Sequence, residues 1–478
     1  MQNRQNISGL DHLYKETGGV VYFIGIGGIG MSAIARYFKE QGVQVSGYDK
    51  TPTDLTKELE SEGITVHYTE DVSLVPKNAG LVVYTPAVPK QHAELVYYQT
   101  NAYKVVKRSE VLGIITANSF NICVGGTHGK TTTSAMIAHI LRHSGYGCTA
   151  FLGGIASNYD NNYWSSNNNV CVVEADEYDR SFLQLNPDIA IITSMDPDHL
   201  DIYGTEEAMQ DAFIQFGNKT KKGGLLLHKF GLKRMREMGV ERKWSYSLQN
   251  DAADVFASSL KINEGGYVFD VQLKDAVINN FELHLGGMHN VENAVVAVAV
   301  AHALEIDHEM IKSALSAFKG VRRRFEYVIP PKKNLQGAFI QPVLVDDYAH
   351  HPEELRALLK SVRSLFPQRL LTVVFQPHLF TRTRDLAEGF AQALSIADRV
   401  VLLPVYPARE LPIEGVTSEL ILKEVQCEEK LMLEKDALPD WVSSKVATLD
   451  KEFGEVFVMA GAGDIDLLVQ PVKKILER

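Results

Sequence analysis

The chain has 478 residues, 45% of them hydrophobic and 22% charged, the balance of a soluble globular protein with room for about three domains. Its formal net charge is −11 and no basic run offsets it, which argues against nucleic-acid binding. Cys123, Cys148, Cys171 and Cys427 lack metal or disulfide spacing and read as reduced, structural thiols.

Residues 1–19 are polar with no apolar secretory core. The longest apolar helical run, 294–304, is too short to cross a bilayer and carries His302. A cytoplasmic enzyme without membrane insertion is the expectation.

The first predicted strand, Val20-Val21-Tyr22-Phe23-Ile24, runs into Gly25-Ile26-Gly27-Gly28-Ile29-Gly30 and a helix that opens Met31-Ser32. Glycines in this arrangement let a backbone approach a pyrophosphate at a helix start. Asp49 ends the next strand, 43–48, where the ribose-binding acid of such folds sits. The motif does not say whose pyrophosphate is bound, and a glycine turn kept for close helix–strand packing has the same spelling. A further strand at 80–84 ends in a proline-marked loop, and this unit closes near residue 119.

A second strand–loop–helix follows at 121–133, with the core Gly126-Thr127-His128-Gly129-Lys130-Thr131-Thr132. Its backbone N–H groups, helix start and one ammonium suit a polyphosphate, and a hydroxyl is left for Mg²⁺. The general P-loop spelling wants glycine where Val124 stands, so this is the tighter form. The chain is expected to bind a nucleoside triphosphate.

Strands at 170–173, 189–193 and 224–227 continue this unit, while 242–285 has an antiparallel, hairpin-like pattern before a helix that follows Gly286-Gly287. Acids cluster at two strand ends, Glu174-Ala175-Asp176-Glu177 and Asp196-Pro197-Asp198-His199. A carboxylate one strand from a Lys-Thr phosphate loop is where a nucleotide's Mg²⁺ is held. Glu174, the first acid past the apolar run, is preferred to Asp176 or Glu177. His199 is either a second-metal ligand or a loop cap.

The third unit begins at Gly320-Val321-Arg322-Arg323-Arg324, with strands ending at Asp346, Gln376, Val405 and Met459. Arg323 reads as a hinge cation for phosphate or adenine, or as a solvated turn. Two polar loops, Asp346-Asp347-Tyr348-Ala349-His350-His351-Pro352 and Gln376-Pro377-His378, are expected at neighbouring strand ends, followed by Thr381-Arg382-Thr383-Arg384. Arginine grips a carboxylate bidentately, so a carboxylate-bearing second substrate fits there. Alternation of strands and helices throughout predicts an α/β fold with mainly parallel sheets.

These motifs, in this order over essentially the whole chain, resemble the Mur ligase family, and within it the branch that adds L-alanine. The resemblance implies three domains: an N-terminal Rossmann-like domain (1–119), a central P-loop ATPase-type parallel sheet (120–320) and a C-terminal Rossmann-like domain (321–478). It implies that Gly25, Gly27, Gly28, Ile29, Gly30, Met31, Ser32, Asp49 and His67 bind a uridine-nucleotide substrate. ATP would then lie on residues 126–132, with Asn290, Asn293, Arg323 and Asp347, and the metal on Thr131, Glu174 and His199.

The reaction implied is ATP-dependent joining of L-alanine to UDP-N-acetylmuramate through an acyl phosphate, with Lys130 at the γ-phosphoryl, His350, His351 or His378 as proton acceptor and Arg382 on the amino acid's carboxylate. A monomer or weak homodimer and closure about 119–122 and 318–324 go with it. Leu379-Phe380 stands where the family often has Arg-Tyr, and Tyr84-Thr85-Pro86-Ala87 where it usually has Ser-Ser-Ala; no lysine lies between His199 and Phe216 to be carbamylated, as in the alanine-adding branch. A sibling ligase that attaches a preformed peptide in cell-wall recycling, and an NAD-dependent oxidoreductase resting on the first glycine loop, are the alternatives.

Overall fold

Runs of Val, Ile and aromatic residues form fully buried strands, because parallel sheets are covered on both faces by their crossover helices. The strand β1 (Val20–Ile24) is buried at every position, and the helix Ile29–Glu40 that follows buries an unbroken run from Met31 to Phe38. In this computed structural model the described residues are 19–263, 265–332, 341–408, 410–446 and 454–477. They form an α/β fold around three sheets.

The first sheet is wholly parallel and combines β1 with β2 (Val45–Tyr48), β3 (Thr65–His67), β4 (Ala79–Tyr84) and β5 (Val105–Lys107), in the order β3-β2-β1-β4-β5. The order reverses beside β1, so its carboxyl end, where residues 25–30 begin, is the switch point at which such sheets bind ligands.

The second sheet has ten strands: β6 (Phe120–Gly125), β7 (Thr149–Ala156), β8 (Asn161–Trp164), β9 (Val170–Glu174), β10 (Ile189–Ile192), β11 (Leu225–Lys229), β12 (Arg242–Ser247), β13 (Val255–Asn263), β14 (Gly266–Gln272) and β15 (Val277–Leu283). Their order is β15-β14-β13-β12-β11-β10-β6-β9-β7-β8. The antiparallel expectation for 242–285 holds only from β13 onward. β12 pairs parallel with both β11 and β13, and within this stretch only β13–β14 and β14–β15 are antiparallel. The antiparallel hairpin β7–β8 carries no tight turn signature in the sequence.

The third sheet comprises β16 (Glu326–Ile329), β17 (Val343–Asp347), β18 (Leu370–Phe375), β19 (Arg399–Leu402), β20 (Glu429–Met432) and β21 (Glu455–Ala460), ordered β16-β17-β21-β18-β19-β20. The last strand therefore inserts between β17 and β18, so their loops are not at neighbouring strand ends as expected. A chain-end strand returning to the sheet centre leaves no local sequence signal.

One hydrophobic core runs from the first sheet into the middle one, joining Phe23, Phe38 and Leu112 to Phe151, Tyr163, Phe182 and Phe216. A second joins the phosphate-loop helix and β13–β15 to the third sheet. All four cysteines are free thiols; Cys123, Cys148 and Cys171 are buried and Cys427 is half-buried.

Candidate functional site

Three units meet on a cleft of about 1460 Å³, lined by Ile29 and Asp54 from the first, Thr131 and Gly154 from the middle, and Arg323 and Tyr348 from the third.

On its first side, Gly25 takes φ +87, which turns the chain out of β1. A Cβ on Gly27 would lie 2.7 Å from Thr56 and 2.8 Å from the Asp49 carboxylate. Asp49 accepts from Gly27 N at 2.7 Å and Thr51 N at 3.2 Å, so the predicted ribose acid lies directly against the glycine loop. Gly28 caps the helix Ile29–Glu40 with no side-chain hydrogen bond, Met31 and Ser32 are buried in its first turn, and Ser32 Oγ donates to Ile29 O at 2.9 Å. The ring of His67 is engaged elsewhere: Nε2 stands 2.7 Å from Tyr22 Oη and Nδ1 is 2.9 Å from Thr69 O. Its backbone carbonyl, not its ring, meets Asp49.

The second loop leaves β6 through Gly126 (φ +138) and Gly129 (φ +80). A Cβ on Gly126 would fall 2.0 Å from Thr193 Oγ1, so the tight turn tolerates no side chain. Lys130 folds back over its own loop, donating to Gly126 O at 2.6 Å and to Glu177 Oε1 at 2.8 Å. Thr127 Oγ1 stands 2.8 Å from Ser194 Oγ, which also accepts from His128 N at 2.8 Å. Thr132 is buried in the first helical turn.

Asn290 and Asn293 buttress this loop from behind. Thr133 Oγ1 donates to Asn293 Oδ1 at 3.1 Å, Asn293 Nδ2 to Asn290 Oδ1 at 3.2 Å, and Asn290 Nδ2 to Gly286 O at 2.7 Å. Both asparagines are buried.

The acids divide into two groups. Glu174 accepts from Thr131 Oγ1 and Gly153 N, each at 3.0 Å. His199, at φ +51, stands instead with Glu177 and Asp198, at 4.0 Å and 3.7 Å from its Nε2. Ligand atoms of Glu177, Asp198 and His199 all lie within 4.8 Å of one another, and Glu177 Oε2 is buried without a partner among the described residues. An orphaned buried carboxylate oxygen beside a second acid and an imidazole fits a hard divalent cation. Burial pushes the carboxyl groups of Glu174 and Glu177 above the usual range, against the pull of Lys130. Glu177 lies three residues past the end of β9, at the start of the turn 178–184, where no local pattern points to its pairing with Lys130.

On the third side, Asp347 accepts from Phe325 N and Ala349 N at 2.7 Å each, so it ties the turn before β16 to the turn after β17. Arg323, at φ +60, stacks its guanidinium over Tyr348 and reaches Asp466 at 3.4 Å and Asp346 at 3.7 Å. Burial raises the carboxyl of Asp346 to about 7 and that of Asp347 to about 6.

His350 and His378 approach with ring centres 6.0 Å apart, across the inserted β21. His350 Nδ1 lies 3.0 Å from Tyr348 O; a carbonyl only accepts, so Nδ1 carries the proton and Nε2 is left basic. Burial lowers both imidazoles, His378 to about 4. His351 is spent as the cap of the helix Pro352–Leu365, accepting from Glu353 N. Arg382 Nη1 and His378 Nδ1 are buried without partners among the described residues, in the loop expected to hold a carboxylate. Leu379 takes φ +70 and caps the short helix Phe380–Asp385.

Family models match three consecutive stretches: "Mur ligase family, catalytic domain" over residues 20–120, "Mur ligase middle domain" over 124–301 and "Mur ligase, glutamate ligase domain" over 323–464. The chain is 47% identical over 464 residues to a UDP-N-acetylmuramate–L-alanine ligase of Porphyromonas gingivalis, covering 96% of this chain and 99% of that protein. It is 45% identical over 470 residues to the one of Cytophaga hutchinsonii, covering 96% and 97%. Among solved structures, the UDP-N-acetylmuramate–alanine ligase MurC of Thermotoga maritima superposes with a TM-score of 0.78 at 27% identity, covering 96% and 98% of the two chains. A murein peptide ligase of Psychrobacter arcticus shares the fold, with a TM-score of 0.65 at 22% identity over 96% and 99%.

Proposed function

This chain belongs to the Mur ligase family, and from that premise we propose that it joins L-alanine to the lactyl carboxylate of UDP-N-acetylmuramate in an ATP-dependent reaction that makes a peptidoglycan precursor. The observation that carries this reading is end-to-end identity of 45–47% with alanine-adding ligases. The likeness to a murein peptide ligase, at 22% identity, speaks only to the fold, so the peptide-attaching alternative is set aside. The oxidoreductase alternative goes with it, since it leaves Lys130, Glu174 and Glu177 without a task.

In this reading the uridine nucleotide lies on residues 25–32 with Asp49, and ATP on residues 126–132. Lys130 leaves Gly126 O and Glu177 for the γ-phosphate. The lactyl carboxylate attacks the γ-phosphorus, ADP leaves, and an acyl phosphate forms. Positioning and charge complementarity carry such a transfer.

Thr131 and Glu174 would hold Mg²⁺ with the nucleotide, and His199 with Glu177 and Asp198 a second ion. Bound there, the metal supplies charge neutralisation on the phosphoryl oxygens. Arg382, with its unpartnered buried Nη1, takes the carboxylate of L-alanine. His350 Nε2 accepts the ammonium proton, the freed amine attacks the acyl carbon, and phosphate departs from the tetrahedral intermediate. His378, lowered to about 4 by burial, is a weak base at neutral pH.

We keep the division at 1–119, 120–320 and 321–478, closure of the cleft about 119–122 and 318–324, a cytoplasmic setting and a monomer or weak homodimer as parts of the proposal. No helix among the described residues is long and apolar enough to cross a membrane. The test is ADP release with UDP-N-acetylmuramate while amino acids are varied singly. L-alanine is expected to drive turnover, and preference for a tripeptide over L-alanine would overturn the assignment.

A further inference from the structure

We propose that Arg108 grips an anionic group of the uridine-nucleotide substrate, and that Asp176 stands in for that anion in the ligand-free chain. The inference rests on the functional reading above. Arg108 is the first residue of the helix Arg108–Thr116, whose cap is Lys107 and which has no side-chain capping bond. Cations at a helix start oppose the helix dipole, and anions beside them, beginning with Glu110 in the same first turn, offset that cost.

Anions of the neighbouring unit do so too. Arg108 Nη2 lies 2.8 Å from Asp176 Oδ2, and Lys107 Nζ 2.8 Å from Asp179 Oδ2. Asp176 lies two residues past the strand that supplies Glu174, and Asp179 in the turn 178–184 that comes next.

The guanidinium also reaches the other glycine loop. A Cβ on Gly30 would fall 2.3 Å from Arg108 Nη1 and 3.2 Å from Cζ, so Gly30 leaves room for the arginine at the start of the helix Ile29–Glu40. That helix has no acid in its first turn and no side-chain cap. A cavity of about 160 Å³ continues from there, lined by Gly30, Arg108, Gly153, Glu174 and Asp176. It joins the glycine loop of the first unit to the carboxylate beside Thr131. An anion lodged in it would meet a planar guanidinium fork suited to two phosphate or carboxylate oxygens. A plain domain-bridging ion pair needs neither the glycine nor the cavity.

The experiment is calorimetric titration of the full-length protein, without ATP, using UDP-N-acetylmuramate and UDP. Arg108→Ala is expected to weaken binding of UDP-N-acetylmuramate roughly 10- to 100-fold, the effect of losing a charge-assisted contact. An equal loss on UDP places the grip on the diphosphate, and a loss confined to UDP-N-acetylmuramate places it on the carboxylate. Arg108→Lys should recover part of the loss, and unchanged ADP affinity would show the fold intact. Asp176→Ala should bind the uridine nucleotide as well as the wild type or better.

Unchanged affinity in Arg108→Ala would overturn the inference, as would equal losses in Arg108→Ala and Asp176→Ala, the result expected of a structural bridge. Failure of the wild-type protein to bind UDP-N-acetylmuramate would instead count against the functional reading.

Discussion

The two glycine loops sit on equivalent strand ends but carry their charge differently. In the second loop the cation belongs to the motif: Lys130 follows Gly129 directly and, in this structure, lies back on Gly126 O and Glu177. The first loop has no charged residue between Gly25 and Gly30, and the nearest cation, Arg108, arrives from another helix. A loop with its own lysine states its chemistry in the sequence. A loop that borrows an arginine states only that something flat and anionic can approach.

Lys130 gives the largest expected break in this comparison. Lys130→Ala should lower kcat by about 10²–10³-fold, the scale of removing one preorganised charge from a phosphoryl transfer. Uridine-nucleotide affinity should stay at the wild-type value, because that ligand lies on the other loop. Steady-state ADP release beside calorimetry checks both halves, and near-normal turnover would remove Lys130 from the phosphoryl site.

The same contrast explains what could be read in advance. Strand, turn and helix order at both loops, the acids of β9 and the capped helix after His351 were legible because each is a local pattern. Glu177 and Arg108 were not, since their roles depend on where a turn and a neighbouring unit bring them. The interposed β21 was equally hidden, being a pairing between residues about 85 to 110 positions apart along the chain. His67, expected on the uridine nucleotide, has its ring beside Tyr22 Oη, which donates to Glu94, a contact 45 residues away in sequence that no local pattern announces.

Glycine replacement sharpens the comparison in terms of stability. Gly126→Ala puts a methyl group 2.0 Å from Thr193 Oγ1 and 2.8 Å from Ser194 N, at φ +138. Backbone cannot step aside, so a loss of about 1–3 kcal/mol is expected in denaturant unfolding. Gly30→Ala meets chiefly the movable end of Arg108. It should leave the unfolding midpoint nearly unchanged while weakening uridine-nucleotide binding. Equal destabilisation by both would erase the distinction.

A smaller effect concerns pH. Burial raises Glu177 above the ordinary carboxylate range despite Lys130 beside it, so the folded protein holds this proton more tightly than the unfolded chain does. A raised carboxyl stabilises at low pH, and its contribution is lost as pH climbs from the ordinary glutamate value through the raised one. In metal-free protein, Glu177→Gln should therefore flatten the fall in melting temperature over that window. Asp346, raised to about 7, adds a fall of the same sign that this variant leaves in place. A pH profile identical to that of the wild type would count against the strained carboxylate.

The smallest effect returns to the first loop. Asp49 accepts from Gly27 N and Thr51 N, and an asparagine oxygen can accept from the same groups, so Asp49→Asn should cost less than about 1 kcal/mol of stability. The carboxylate differs from the amide in offering two acceptor oxygens to a ribose diol, whereas the amide offers one acceptor and a donor. If Asp49 reads the ribose, Asp49→Asn should weaken UDP binding several-fold with little change in melting temperature. The opposite pattern, lost stability with UDP affinity intact, would make Asp49 a brace for the glycine turn. The first loop's recognition would then rest on its backbone and on Arg108, the far end of the contrast with a loop that carries its own lysine.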